Sequence, residues 1–324
     1  FKVFPIKQID LWKEGVQLSE KENSINFDAK SAIYTGNKWG GKYLRAPEIY
    51  WKILEKGKGK LVYLGDAKFT RIETYLNTGG ADKFFIVDLT RQLGTDTVEI
   101  TNTEYGEHFA VESEFVTPFL KSPRETKSIL IQKETIRHFL LRIPESINLE
   151  NSRKVVQYIR WAHTKGFNKA SGRKNKAKWW VLPPQAYNFS EILWPRLFNI
   201  SHIVCWNKDK IPFTNFYSIF FVENDTESET QKVVSLLNST MVWLQKEIFG
   251  KVNYGQGAIK TDGNDLKYVA FLNPKLVEIL PTINLEREIG SVFQECGIDP
   301  SKSIRSQQPN PLPDRKVLDD IIFD

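Results

Sequence analysis

Apolar positions along this chain follow two rhythms. In "PEIYWKILEKG", Ile49, Tyr50, Ile53 and Leu54 recur at helical spacing behind Pro47, a favourable first-turn residue, and Gly57 marks a stop. "SRKVVQYIRWAHTKGF" puts Val155, Ile159 and Ala162 on one face, which predicts a short amphipathic helix closed by Gly166. "TQKVVSLLNSTMVWLQKEIFG" carries a single stripe of Val233, Leu237, Met241, Leu244 and Ile248. It predicts one long helix, capped by Thr230 and closed by Gly250. Elsewhere the rhythm is that of strands. "KLVYLGDAKFTRIETYLNTGGADKFFIVD" reads as strands broken at Thr78–Asp82, where Gly79 and Gly80 supply the positive φ of a tight hairpin turn. "WWVLP" and "ISHIVCW" are strand candidates, and "NFYSIFFV" is a buried strand. A final helix from Asp314 follows a Pro/Ser/Gln-rich stretch. Strands and helices mixed without regular βαβ alternation predict an α+β fold. Residues 1–35 read as a connector, 36–280 as the main domain and 281–324 as a helical tail.

Composition narrows the class. A chain of 324 residues with nine Trp, 11 Tyr and 21 Phe has ample material for a packed core. No apolar run approaches the ~18 residues of a membrane span, and a cytoplasmic location is expected. The start at Phe1 rather than Met suggests a piece of a longer protein. Cys205 and Cys296 read as two reduced thiols, and the four scattered histidines lack metal-ligand spacing. Phosphate loops, GxGxxG, GxSxG and a recognisable nucleophilic cysteine are all absent, so no cofactor site is expected in this chain and it does not read as a complete enzyme.

Charge changes the picture more. The net charge is +6, yet residues 151–190 contain no Asp or Glu. Nine cations lie there: Arg153, Lys154, Arg160, Lys165, Lys169, Arg173, Lys174, Lys176 and Lys178. The rest of the chain is therefore net negative. One concentrated basic stretch points to a polyanionic partner. The densest part, "HTKGFNKASGRKNKAKWW", ends on Trp179 and Trp180, for which core packing is expected. On a strand the two rings would face opposite sides.

Several segments together resemble the C-terminal, target-recognising region of N6-adenine DNA methyltransferases of type II and type IIG restriction–modification systems. They are "NTGGADKFFIVD" (Asn77–Asp88), "FVTPFLKS" (Phe115–Ser122), "YIRWAHTKGF" with its basic run and "WWVL", "LLNSTMVWLQKEIFGKVNYGQGAIK" (Leu236–Lys260) and "PLPDRKVLDDIIFD" (Pro311–Asp324). The catalytic tetrapeptide of that family is missing: the Pro-Pro in "LPPQ" (Leu182–Gln185) has the wrong flanks, and no S-adenosylmethionine loop is present. The resemblance implies a DNA-recognition region. Methyl transfer and S-adenosylmethionine would then belong to an N-terminal methyltransferase domain of the parent polypeptide.

Double-stranded DNA is accordingly the expected partner. Lys165, Lys169, Arg173, Lys174, Lys176 and Lys178 are candidates for phosphate contacts, with Arg173 also placed to fork onto a guanine edge. Six such contacts imply a log K against log salt slope of about −5. In "GKVNYGQGAIK", Lys251, Asn253, Gln256 and Lys260 are further DNA-contact candidates, although a helix cap and turn explain that segment equally well. The alternative is a protein–protein docking module of a restriction or anti-phage complex, with aromatic patches meeting another chain.

Overall fold

The computed structural model describes residues 7–9, 16–17, 33–34, 40–66, 70–74, 78–150, 153–182, 190–221, 226–252, 254–255, 257–278 and 284–324. Helices and antiparallel sheets are mixed throughout, giving the expected α+β fold. Most of the segment read as a connector lies outside the described residues, and so does Pro183–Gln185 of "LPPQ".

Two large hydrophobic cores organise the described residues, beside a small cluster of Ala46, Tyr50 and Ile248. The first lies against a four-stranded antiparallel sheet ordered Cys205–Trp206, Ile192–Pro195, Phe216–Phe221, Thr70–Thr74. Ile192, Leu193, Trp194 and Ile219 of this sheet pack with Val233, Leu236, Leu237, Val242 and Trp243 from two helices, and with Leu318 of the C-terminal helix Pro313–Phe323. The second core lies against a five-stranded antiparallel sheet ordered His108–Glu112, Thr97–Asn102, Ile86–Gln92, His138–Leu141, Val116–Phe119. Val155, Val156, Tyr158, Ile159 and Ala162 of the helix Val155–Thr164 fill it together with Phe84, Val87, Ile100, Val111 and Leu140.

The expected stripe from Val233 to Ile248 is buried apart from a partly exposed Leu244, but it belongs to two helices, Glu227–Leu237 and Thr240–Phe249. Asn238 causes the break. Its buried amide donates to the carbonyls of Val204 and Val234 (2.8 Å each) and accepts from the Val204 N–H (2.9 Å), a set that a continuous helix would leave unmade. Ser239 caps the second helix by accepting from the Val242 N–H, and Thr226, not Thr230, caps the first.

Two strand expectations are also corrected. Residues 177–180 form turns, so Trp179 and Trp180 are not alternating strand residues; both rings are buried in the second core. In "ISHIVCW" only Cys205–Trp206 is a strand. The turn at Thr78–Asp82 closes no hairpin. It carries the chain from Thr74 in the four-stranded sheet to Ile86 in the five-stranded one.

Candidate nucleic-acid interface

The basic stretch begins where the helix Val155–Thr164 ends. No side chain in its own first turn caps this helix. Its leading N–H groups instead reach the carboxylate of Glu112 on a neighbouring strand, Lys154 N–H at 2.7 Å and Val155 N–H at 3.1 Å. A carboxylate held there also complements the positive end of the helix dipole. Gly166, at φ 83°, turns the chain out of the helix, as expected, into the short turn Phe167–Lys169.

Arg173 anchors the loop from beneath. Only 2 % of its surface is exposed. Its Nε donates to the Thr78 carbonyl and an Nη to the Val181 carbonyl (2.6 Å each), and its guanidinium lies 4.8 Å from the Phe85 ring centroid. Burial holds its pKa below the ordinary arginine value. These contacts leave Arg173 little surface to offer a base edge or a phosphate, because its donors already serve two backbone oxygens, one in the neighbouring Thr78–Asp82 turn and one at Val181 where the loop ends. Beside it the Gly172 N–H donates to the Gly79 carbonyl at 2.9 Å. A Cβ on Gly172 would lie 2.6 Å from the Gly79 Cα. The glycines of "TGGAD" therefore serve loop-on-loop packing, with Gly79 and Gly80 at φ 69° and 84°.

Above this anchor the remaining lysines face outward. Lys169, Lys174, Lys176 and Lys178 are all exposed. Among the described residues no carboxylate lies within ion-pair distance of any of them, and Lys178 donates to the Glu145 carbonyl at 2.6 Å. Lys165 is placed differently: its Nζ is 3.4 Å from Glu107 and 4.7 Å from the Tyr105 ring centroid. Further back, Arg153 pairs with Glu114 at 2.9 Å.

The second expected cluster is less cationic than its sequence. Lys251 forms an ion pair with Asp262, and Lys260 lies 3.3 Å from the same carboxylate. The hydrogen bond from Lys251 is the main cause holding the Asp262 carboxyl below its ordinary pKa, with Lys260 adding to it against burial. One carboxylate thus offsets part of the charge expected of Lys251 and Lys260. Asn253 and Gln256 lie outside the described residues. Gly255 and Gly257, at φ 76° and 71°, give the segment the geometry of a turn. Among the described residues no hydrogen bond or ion pair joins this cluster to the loop at Lys165–Lys178.

Sequence reading does not single out the hairpin tip Asn102–Glu107, which stands next to the lysine loop. A Gly106 behind an exposed Tyr105 is the only local signal. Among the described residues, no group of three or more His, Cys, Asp or Glu is placed to hold a metal ion, and no helix is long and apolar enough to cross a membrane.

Comparison with known proteins gives likenesses of fold among solved structures. No family model matches the chain, and no curated protein matches it. Among solved structures, the type IIG restriction endonuclease BpuSI superposes with a TM-score of 0.53 at 13 % sequence identity, over 76 % of this chain and 28 % of that enzyme. The two share a fold over that region, and this chain spans just over a quarter of the enzyme's length.

Proposed function

We propose that this chain is a DNA target-recognition region of a restriction–modification enzyme, an N6-adenine methyltransferase in the parent protein. Lys169, Lys174, Lys176 and Lys178 grip the phosphate backbone and position duplex DNA. Methyl transfer from S-adenosylmethionine belongs to a catalytic domain elsewhere in the polypeptide. The observation that carries this reading is the state of the lysine row: exposed, without carboxylate partners among the described residues, and anchored from below by a buried arginine. A fold likeness to a type IIG restriction endonuclease supports it. Phosphate contacts position a protein on DNA without reading sequence, which suits a row of point charges on flexible stems.

The test is binding of the chain to a duplex across a salt series. With Arg173 withdrawn to the interior and Lys165 engaged by Glu107, four contacts remain, and the slope of log K against log salt becomes about −4. Replacing Lys174 and Lys176 by Ala is expected to reduce the steepness to about −2 and to weaken all sequences alike. A flat response in the unaltered protein rejects the phosphate role.

A second reading rests on a different face. Leu197, Ile200, Val252 and Tyr254 are exposed apolar residues around the paired segments Leu197–Phe198 and Ile259–Lys260, which suits docking onto another protein chain. Self-association that persists at high salt, with no DNA binding, favours it.

A further inference from the structure

The hairpin tip beside the lysine row is built to hold one aromatic ring still. Asn102 is fully buried, and its side-chain oxygen accepts from the Glu104 and Tyr105 N–H groups at 3.1 Å each. Its amide donates to the Lys83 carbonyl at 2.8 Å and to the Tyr158 hydroxyl at 2.9 Å. Four hydrogen bonds from one buried side chain fix the tip to the second core. Gly106, at φ 70°, completes the turn.

Tyr105 stands at that tip with 46 % of its surface exposed. Its ring meets Trp161 and Phe167 edge-on, at 5.6 and 6.0 Å between centroids. Trp161 stacks on Tyr158, which in turn stacks on Phe84 at 5.1 Å, so the exposed ring is backed by an aromatic column running into the core. Phe167 belongs to the same short turn as Lys169, the first lysine of the row. The tip's acids are occupied: Glu104 pairs with Lys83, and Glu107 with Lys165. The Lys165 ammonium, paired with Glu107, also lies 4.7 Å from the Tyr105 ring centroid and helps to hold the ring in place.

An immobilised, half-exposed aromatic ring next to a phosphate-binding row has the chemistry of a base-stacking platform. We propose that Tyr105 is a stacking site for an unpaired nucleobase of the DNA strand that the lysine row holds. This rests on the DNA reading above and adds to it a preference for locally opened DNA. Its ordering cost is low, because Asn102 and the aromatic column hold the ring in place before DNA arrives.

The experiment compares a fully paired duplex with the same duplex carrying one bulged fluorescent adenine analogue. The unaltered protein is expected to bind the bulged DNA about tenfold more tightly and to quench the analogue. Tyr105→Ala is expected to erase both the preference and the quenching while leaving affinity for the paired duplex within about twofold; Tyr105→Phe retains both. Lys174→Ala with Lys176→Ala weakens both DNAs in proportion. Equal affinity of the unaltered protein for the two DNAs, or a preference that survives Tyr105→Ala, overturns the stacking site and leaves the phosphate role intact. Failure to bind either DNA at low salt overturns both.

Discussion

Lys246 lies in the first core with 1 % of its surface exposed, its ammonium 4.4 Å from the Trp194 ring centroid and 5.5 Å from that of Phe198. Among the described residues its polar partner is the Ile203 carbonyl at 3.5 Å. His202, Cys205 and Arg315 belong to the same charge environment. Burial lowers the lysine to about 7, with the Cys205 thiol opposing; burial also raises that thiol to about 11 and holds His202 below its ordinary value. The consequence for stability has a definite sign. Between about pH 7 and the ordinary lysine value of 10.5, the unfolded chain binds a proton that the folded chain does not, so this group's contribution rises with pH across that window and is flat below it. Lys246→Met is expected to remove that rise and to stabilise the protein most at pH 6, where the native chain must bury a charge. Denaturant unfolding of both proteins at several pH values measures the difference. A constant difference from pH 6 to 10 contradicts it.

At the scale of elements, the contact between the Gly79 turn and the Gly172 loop sets the lysine row in place. A methyl group on Gly172 meets the Gly79 backbone with no flexible side chain to give way. Gly172→Ala is therefore expected to destabilise the protein by about 1–3 kcal/mol and, on the proposed DNA reading, to lower duplex affinity at least fivefold with every charge retained. Titration with duplex DNA and thermal unfolding check the two parts. The same contact shows what the sequence could reveal. The helix Val155–Thr164 and its stop at Gly166 were legible because both are local: three apolar residues on one face, then a residue free to take positive φ. The lysine row was legible as charge. Arg173 was not distinguishable from its lysine neighbours, because its acceptors at Thr78 and Val181 are joined to it only by the fold. The break at Asn238 was hidden for the same reason. The apolar spacing from Val233 to Ile248 runs straight through it, and the partner that interrupts the helix is the distant Val204 backbone. In the five-stranded sheet, the inward positions of Thr97–Asn102 alternate as Val98, Ile100 and Asn102. A buried asparagine ends that apolar alternation, although it is the residue that holds the hairpin tip.

Across the whole molecule, the C-terminal helix is joined to the first core by a buried charge network. Glu295 accepts from Arg287 through two bonds at 2.7 Å and from Arg315 at 3.1 Å, while the Arg315 guanidinium lies 3.6 Å from the Trp243 ring centroid. Burial would raise the Glu295 carboxyl, but hydrogen bonds from Arg287, the Gly290 N–H and Arg315 outweigh it and hold the group below its ordinary 4.5. A depressed carboxyl contributes stability that is present above 4.5 and lost as pH falls through the lower folded value. Glu295→Gln is expected to cost about 3–5 kcal/mol at neutral pH, because it takes from the buried Arg315 the carboxylate it is hydrogen-bonded to and leaves Asp319 as a more distant counter-charge. The difference should narrow toward pH 3. Unfolding curves at pH 7 and pH 3 test it, and an equal penalty at both values contradicts it.

The anchoring of the lysine loop from below bears on how such a surface changes over generations. Arg173 and Gly172 fix the path of the chain, while Lys169, Lys174 and Lys176 contribute nothing to the interior. Those outward positions can drift in size, polarity or sign with the scaffold intact, so the strength of this surface's attraction for a polyanion is free to rise or fall without a misfolded intermediate.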